Sequence, residues 1–270
     1  MSQSGSVVIE NGHLHYEVDG DGPAVTLIHP GLWDMRTWDR EFSSLVDAGY
    51  RAIRYDVRGY GESSRLTGSS YSNVRDLTSL LDSLEVATTA LVGCSMGGAI
   101  AIDVTLEHPD RVWALVPVAS GLGGFEALEE EEDWWAIRSG PIEAAIEVGE
   151  LERAEDLRLE IWAPLGTHDE AGQRIRQIAF DNLHEITMDE SGAEELDPPA
   201  ARRLGEIDIP TLVMIADHDP PDMKRAGDLI ARGIMGARKV TVEGADHVVN
   251  LRQPEVFERW LLEFLAAADR

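Results

Sequence analysis

Apolar residues recur along this chain in two rhythms. The runs Val25 to His29, Arg51 to Tyr55, Thr89 to Gly93, Val112 to Ala119, Thr211 to Ala216 and Lys239 to Val242 are short and rich in apolar or β-branched residues, the signature of strands buried on both faces. Ahead of them, Val7 to Ile9 and Leu14 to Val18 flank Asn11-Gly12, a dipeptide suited to the corner of a tight hairpin, so the chain is predicted to open with an antiparallel pair. Between the runs the period lengthens to that of a helix. Val74, Leu77, Leu81 and Leu84 share one face, as do Val256, Phe257, Trp260, Leu261, Phe264 and Leu265, and these stripes are core. Met96 to His108 is a further helix, ended at His108-Pro109 because the residue before proline avoids helical geometry. Strand and helix in alternation specify the α/β class, here a mostly parallel eight-stranded sheet with helices on both faces.

The alternation fails between about Phe125 and Gly205, where Glu143 to Val148, Leu151 to Ile161 and Gly172 to Leu183 read as successive helices without a strand. Two units are therefore expected: a core of residues 1–124 and 206–270, and a helical cap of residues 125–205 over the edge where the strands finish. The cap holds 22 Asp or Glu against 7 Arg, more than half of the excess behind the formal charge of −27. We read this as a solvated outer face, with the Glu129 to Asp133 run starting a surface helix. So negative a chain is not expected to bind nucleic acid or anionic membrane. The opening MSQSGSVVIENG lacks the basic start and apolar stretch of an export signal, and no run is long enough to span a bilayer, so a cytoplasmic protein is expected. Cys94 is the single cysteine, which excludes an intramolecular disulfide.

The sharpest chemical signal is Gly93-Cys94-Ser95-Met96-Gly97, a G-x-S-x-G pentapeptide between the strand Thr89 to Gly93 and a helix. A serine on so tight a strand-to-helix turn projects its hydroxyl outward, and glycines on either side are required because side chains there would collide. A serine hydroxyl is a poor nucleophile until an imidazole takes its proton, and the imidazole must be oriented by a carboxylate. His247, in the loop after the last predicted strand, is the leading base. His13, His15, His168 and His184 have no motif around them and read as surface residues, while His108 ends its helix. Two carboxylates, Asp217 and Asp219, follow the strand Thr211 to Ala216 at the correct edge, and Asp219 is the chosen acid.

The segments LIHPGLWDMRTWD, YDVRGYGESS, LVGCSMGGA, EHPDRV, PTLVMIADHD and EGADHVV resemble, in this order, the landmarks of the α/β-hydrolase superfamily in its capped esterase, enol-lactonase and cofactor-free haloperoxidase branch. That resemblance covers nearly the whole chain outside the cap. It places the catalytic acid on Asp219, leaves Asp217 structural, and implies the chain order nucleophile, acid, base for Ser95, Asp219 and His247. It also implies an oxyanion hole built from the Met96 N–H and one donor after the first parallel strand. Relatives usually carry His-Gly there. This chain has His29-Pro30-Gly31, so Gly31 is the candidate, with Leu32 as the alternative. The Asp56-x-Arg58-Gly59-x-Gly61-x-Ser63 signature reads as a structural turn.

With serine as nucleophile, the resemblance implies acyl-enzyme chemistry needing neither metal nor organic cofactor; a dehalogenase or epoxide hydrolase of this fold would carry aspartate in place of Ser95. Leu32, Trp33, Trp134, Trp135 and Trp162 are candidates for an apolar pocket, against the alternative that they pack cap on core. The expected substrate is a small or medium hydrophobic ester, with a lactone or a carbon–carbon bond as alternatives. A hydrolase-like receptor that binds a signal without turnover is the reading of a different class.

Overall fold

The computed structural model describes residues 2–268. Eight strands form one sheet: β1 (Gln3–Ile9), β2 (Gly12–Asp19), β3 (Ala24–Ile28), β4 (Arg51–Tyr55), β5 (Thr89–Cys94), β6 (Val112–Val118), β7 (Leu212–Ala216) and β8 (Arg238–Val242), in the spatial order β1-β2-β4-β3-β5-β6-β7-β8. β1 runs antiparallel to β2 and β2 antiparallel to β4; every other neighbouring pair is parallel. The predicted hairpin turns at Asn11, whose φ is +59°.

Among the described residues six α-helices accompany the sheet: α1 (Asp39–Asp47), α2 (Asn73–Ser83), α3 (Met96–Glu107), and, numbered in chain order after three others, α7 (Pro221–Gly233), α8 (Val249–Arg252) and α9 (Pro254–Ala268). The central strands are buried on both faces, and alternate residues divide between two apolar layers. Leu91 and Leu115 join Leu77, Leu80 and Ile100 of α2 and α3 on one face. Val92 and Val116 join Phe42 and Leu45 of α1 and Phe257, Leu261 and Leu265 of α9 on the other. Each such side chain, fully removed from water, contributes about 2 kcal/mol.

Between β6 and β7 the described residues add no strand to the sheet. They form α4 (Glu129–Glu147), α5 (Leu151–Trp162), α6 (Glu170–Asp181) and three 3-10 turns. α4 begins at Glu129, where the acidic run was expected to start a surface helix, and continues through Pro141 into the segment predicted from Glu143, so the two expected pieces are one helix. It absorbs the acidic run, and four consecutive glutamates in its first turn sit at the positive end of the helix dipole. α6 starts earlier than predicted and stops at Asp181, after which Leu183–Thr187 continues as a 3-10 turn. Leu159, Ile175 and Ile178 of α5 and α6 pack with Leu32, Trp33 and Val248, tying the insertion to two loops at the rim of the sheet.

Candidate active site

Ser95 stands between β5 and α3 with φ +53° and ψ −113°, a conformation that L side chains rarely adopt and that must be imposed by its surroundings. Its N–H donates to the Val118 carbonyl, and its own carbonyl accepts from the N–H groups of Ala99 and Gly121. The flanking glycines are required by space. A Cβ on Gly93 would lie 2.1 Å from the Gly97 carbonyl oxygen, and one on Gly97 would lie 2.2 Å from that of Ile28. The same contact seats the first turn of α3 directly on the end of β3, beside the loop holding Gly31 and Leu32.

His247 follows β8 and Asp219 follows β7; both are buried. The His247 Nδ1 and Asp219 Oδ1 are 2.7 Å apart. With the carboxylate oxygen accepting, Nδ1–H is the donor, the tautomer that leaves a lone pair on Nε2. Asp219 Oδ2 is buried without a hydrogen-bond partner among the described residues. The residue before Ser95 ties the elbow to the base loop: the Cys94 thiol donates to the His247 carbonyl at 3.4 Å, and burial pushes that thiol well above its ordinary range, keeping it a proton donor. The Ser95 hydroxyl makes no hydrogen bond to the imidazole among the described residues; such bonds commonly tighten only when substrate is bound.

Three further groups fix the His247 loop. Asp217 accepts from the N–H groups of Gly244 and Ala245 at 3.0 and 3.1 Å. Burial would raise its carboxyl, yet these two bonds and nearby His218 hold it below the usual range. Asp246 is fully buried and accepts two bonds from Arg252 Nε at 3.0 and 2.9 Å, and Arg252 also donates to the Gly166 carbonyl. The His247 N–H donates to the Trp162 carbonyl at 3.3 Å. The sequence reading missed Asp246, Arg252 and this use of Trp162. A carboxylate beside the candidate base was the one available signal.

On the opposite side, the Val57 N–H donates to His29 Nε2 at 2.9 Å, and His29 Nδ1 meets the Pro30 carbonyl at 2.8 Å. An amide only donates, so Nε2 is the bare nitrogen and Nδ1–H donates to Pro30. The ring is neutral, burial lowering its pKa against the opposing pull of Asp56, and it clamps the loop after β3. Within that loop the left-handed residue is Leu32, with φ +70°. Neither Gly31 nor Leu32 gives its N–H to another group among the described residues, and the N–H of Met96, first in α3, has no intrahelical acceptor. The Asp56 turn is braced from within: its carboxylate accepts from the N–H groups of Met35 and Glu62, and Arg58 donates two buried hydrogen bonds to Asp76.

The five pocket candidates divide. Trp33 is fully buried, donates to the Ile175 carbonyl at 2.9 Å, and with Leu32 packs the insertion onto the core. Trp162 lies over His247 with ring centroids 4.3 Å apart; Trp135 follows at 5.3 Å from Trp162, and Trp134 at 5.0 Å from Trp135. Trp135 and Trp162 line a cavity of about 300 Å³.

Residues 23–254 match the model of the alpha/beta hydrolase fold family. The chain is 29% identical over 271 residues to the 2-hydroxy-6-oxononadienedioate/2-hydroxy-6-oxononatrienedioate hydrolase of Escherichia coli O139:H28, covering 94% of this chain and 91% of that one. Among solved structures, a bromoperoxidase from Bacillus anthracis superposes with TM-score 0.78 at 24% identity, covering 98% of this chain and 100% of the other. A thermophilic esterase from Thermogutta terrifontis does so with TM-score 0.76 at 22% identity, covering 98% and 99%. At these identities the structural likenesses concern the fold.

Proposed function

The chain belongs to the α/β-hydrolase family, and from that premise we propose that it hydrolyses a carboxylic ester through an acyl-enzyme on Ser95. The observation that supports this most is the 2.7 Å His247–Asp219 pair, held on the same rim as a serine forced to φ +53°. The Ser95 hydroxyl proton passes to His247 Nε2 as Oγ bonds to the substrate carbonyl carbon. The negative charge that develops on the carbonyl oxygen is met by the Met96 N–H and by Gly31 or Leu32. His247 then returns the proton to the departing alcohol as the carbon–oxygen bond breaks. Water, deprotonated by His247, releases the acid and regenerates Ser95. Asp219 stabilises the imidazolium in both halves. Residues 125–205 serve as the cap over this site, with Trp135 and Trp162 in the substrate pocket. A lactone uses the same groups.

The names of the curated relatives favour a second reading, carbon–carbon bond hydrolysis of a dioate, at 29% identity. A panel of p-nitrophenyl esters and lactones of graded chain length, beside a dioate of the relatives' kind, separates the two for wild type and Ser95→Ala. The proposal expects turnover of short to medium esters that falls by about three orders of magnitude or more in the variant. Full activity in Ser95→Ala would falsify it.

A further inference from the structure

The cavity of about 300 Å³ lies at the small end of ligand pockets, and two of its lining residues, Trp162 and Glu190, contact His247 and Tyr60 beside the candidate site. At one side is Trp162, whose ring lies 4.3 Å from that of His247. At another is Glu190, to which the Tyr60 hydroxyl donates at 3.4 Å. That same hydroxyl stands 3.6 Å from where a Cβ on Gly31 would be. The cavity is thus bounded by neighbours of the base and of the oxyanion loop. Much of the remaining wall is apolar, with Ile142 and Ile146 from α4 and Ile161 from α5.

One basic residue lines it, Arg158, and its charge is already spent. Arg158 Nη1 is paired with Glu185, also on the wall, and at 3.1 Å with Glu155, which is fully buried behind it. Glu190 adds a second carboxylate to the wall with no cationic partner among the described residues. A carboxylate entering this space would give up part of its hydration, find no unmatched positive charge among the described residues, and face the Glu185 and Glu190 carboxylates. An uncharged chain loses nothing comparable and gains the apolar wall.

We propose that this cavity selects substrates whose side facing the cap is uncharged and apolar, and that Glu185, by neutralising Arg158, is the residue that sets the selection. The inference rests on the esterase reading for what is turned over, but its test reads binding alone. Three hydrolysis-resistant N-methyl amides of equal chain length, ending in methyl, carboxylate or trimethylammonium, are titrated against wild type and Ser95→Ala by tryptophan fluorescence and calorimetry. The methyl analogue is expected to bind at least tenfold more tightly than the carboxylate in both proteins. In Glu185→Gln, which removes one of the two carboxylates paired with Arg158 and leaves Glu155 in place, the methyl-to-carboxylate ratio is expected to fall to threefold or less. Glu190→Gln, which leaves the Arg158 pairs in place, supplies a second reading should Glu185→Gln fail to fold, with the same ratio falling by about threefold. Equal or tighter binding of the carboxylate by wild type overturns the proposal, as does a ratio unmoved in the folded variants. A trimethylammonium analogue bound tenfold more tightly than the methyl one overturns it in favour of a cation site. Loss of the esterase reading would show instead as absent turnover with the binding order intact.

Discussion

Asp217 and Asp219, separated by His218 after β7, grip the His247 loop at two different points. Asp217 takes the N–H groups of Gly244 and Ala245, while Asp219 takes the imidazole itself. Their roles separate on substitution. Asp219→Asn cannot hold the same tautomer and is expected to lower ester kcat by about 10⁴-fold with the melting temperature nearly kept. Asp217→Ala leaves the Gly244 N–H to solvent and the buried Ala245 N–H without its acceptor, and is expected to cost about 1 kcal/mol of stability. Urea unfolding beside steady-state kinetics checks both; equal kinetic losses in the two variants would contradict the assignment.

Trp162 places its indole on His247 through the side chain and accepts the His247 N–H through its backbone. Trp162→Ala removes only the first. Aromatic pairs contribute about 0.5–1.5 kcal/mol, so kcat/KM is expected to fall roughly three- to tenfold, with Trp162→Phe recovering most of it. Activity assays of the two variants decide this.

Steric room distinguishes two glycines of the site. Gly97→Ala drives a Cβ to 2.2 Å from the Ile28 carbonyl, whereas Gly31→Ala meets nothing nearer than the Tyr60 hydroxyl at 3.6 Å. Gly97→Ala is expected to lose several kcal/mol or fail to fold, and Gly31→Ala to stay within about 1 kcal/mol of wild type. Thermal melts of both proteins test the difference.

Glu41 supplies a pH dependence remote from the chemistry. Burial raises its carboxyl to about 7, against the opposing hydrogen bond from Asn250, and its Oε1 has no partner among the described residues. A carboxyl that holds its proton more tightly when folded contributes stability below its ordinary value of 4.5, and that contribution is lost as pH rises to about 7. The loss is about 3 kcal/mol. Glu41→Gln is expected to remove most of it, so the variant gains on wild type between pH 4.5 and 7. Parallel stability curves for the two proteins over that range would contradict this.

The sheet was legible in the sequence because strands buried on both faces carry continuous apolar runs, as Thr89 to Gly93 does, and the elbow because Gly93 and Gly97 bracket Ser95. α4 was only half legible. Its start at the Glu129 run and its end near Val148 were both expected, but Pro141 lies between them and few of its side chains are buried, so no apolar stripe showed the two pieces to be one helix. The bonds that fix the His247 loop were hidden for another reason: Asp246, Arg252 and Gly166 meet only because the insertion folds back on the rim, a consequence of topology that local pattern does not carry. The same holds for Tyr60 and Glu190, 130 residues apart. Trp33 could be read from its position in two ways, and the Ile175 bond makes it a fastener of the insertion.

The central claim is that Ser95 becomes acylated. Wild type mixed with a p-nitrophenyl ester and quenched in acid within milliseconds should carry one acyl group per chain by intact mass, located after digestion on the peptide containing Ser95, and Ser95→Ala should carry none. Rapid ester turnover by Ser95→Ala, or acylation at another residue that accounts for the wild-type rate, would contradict the account.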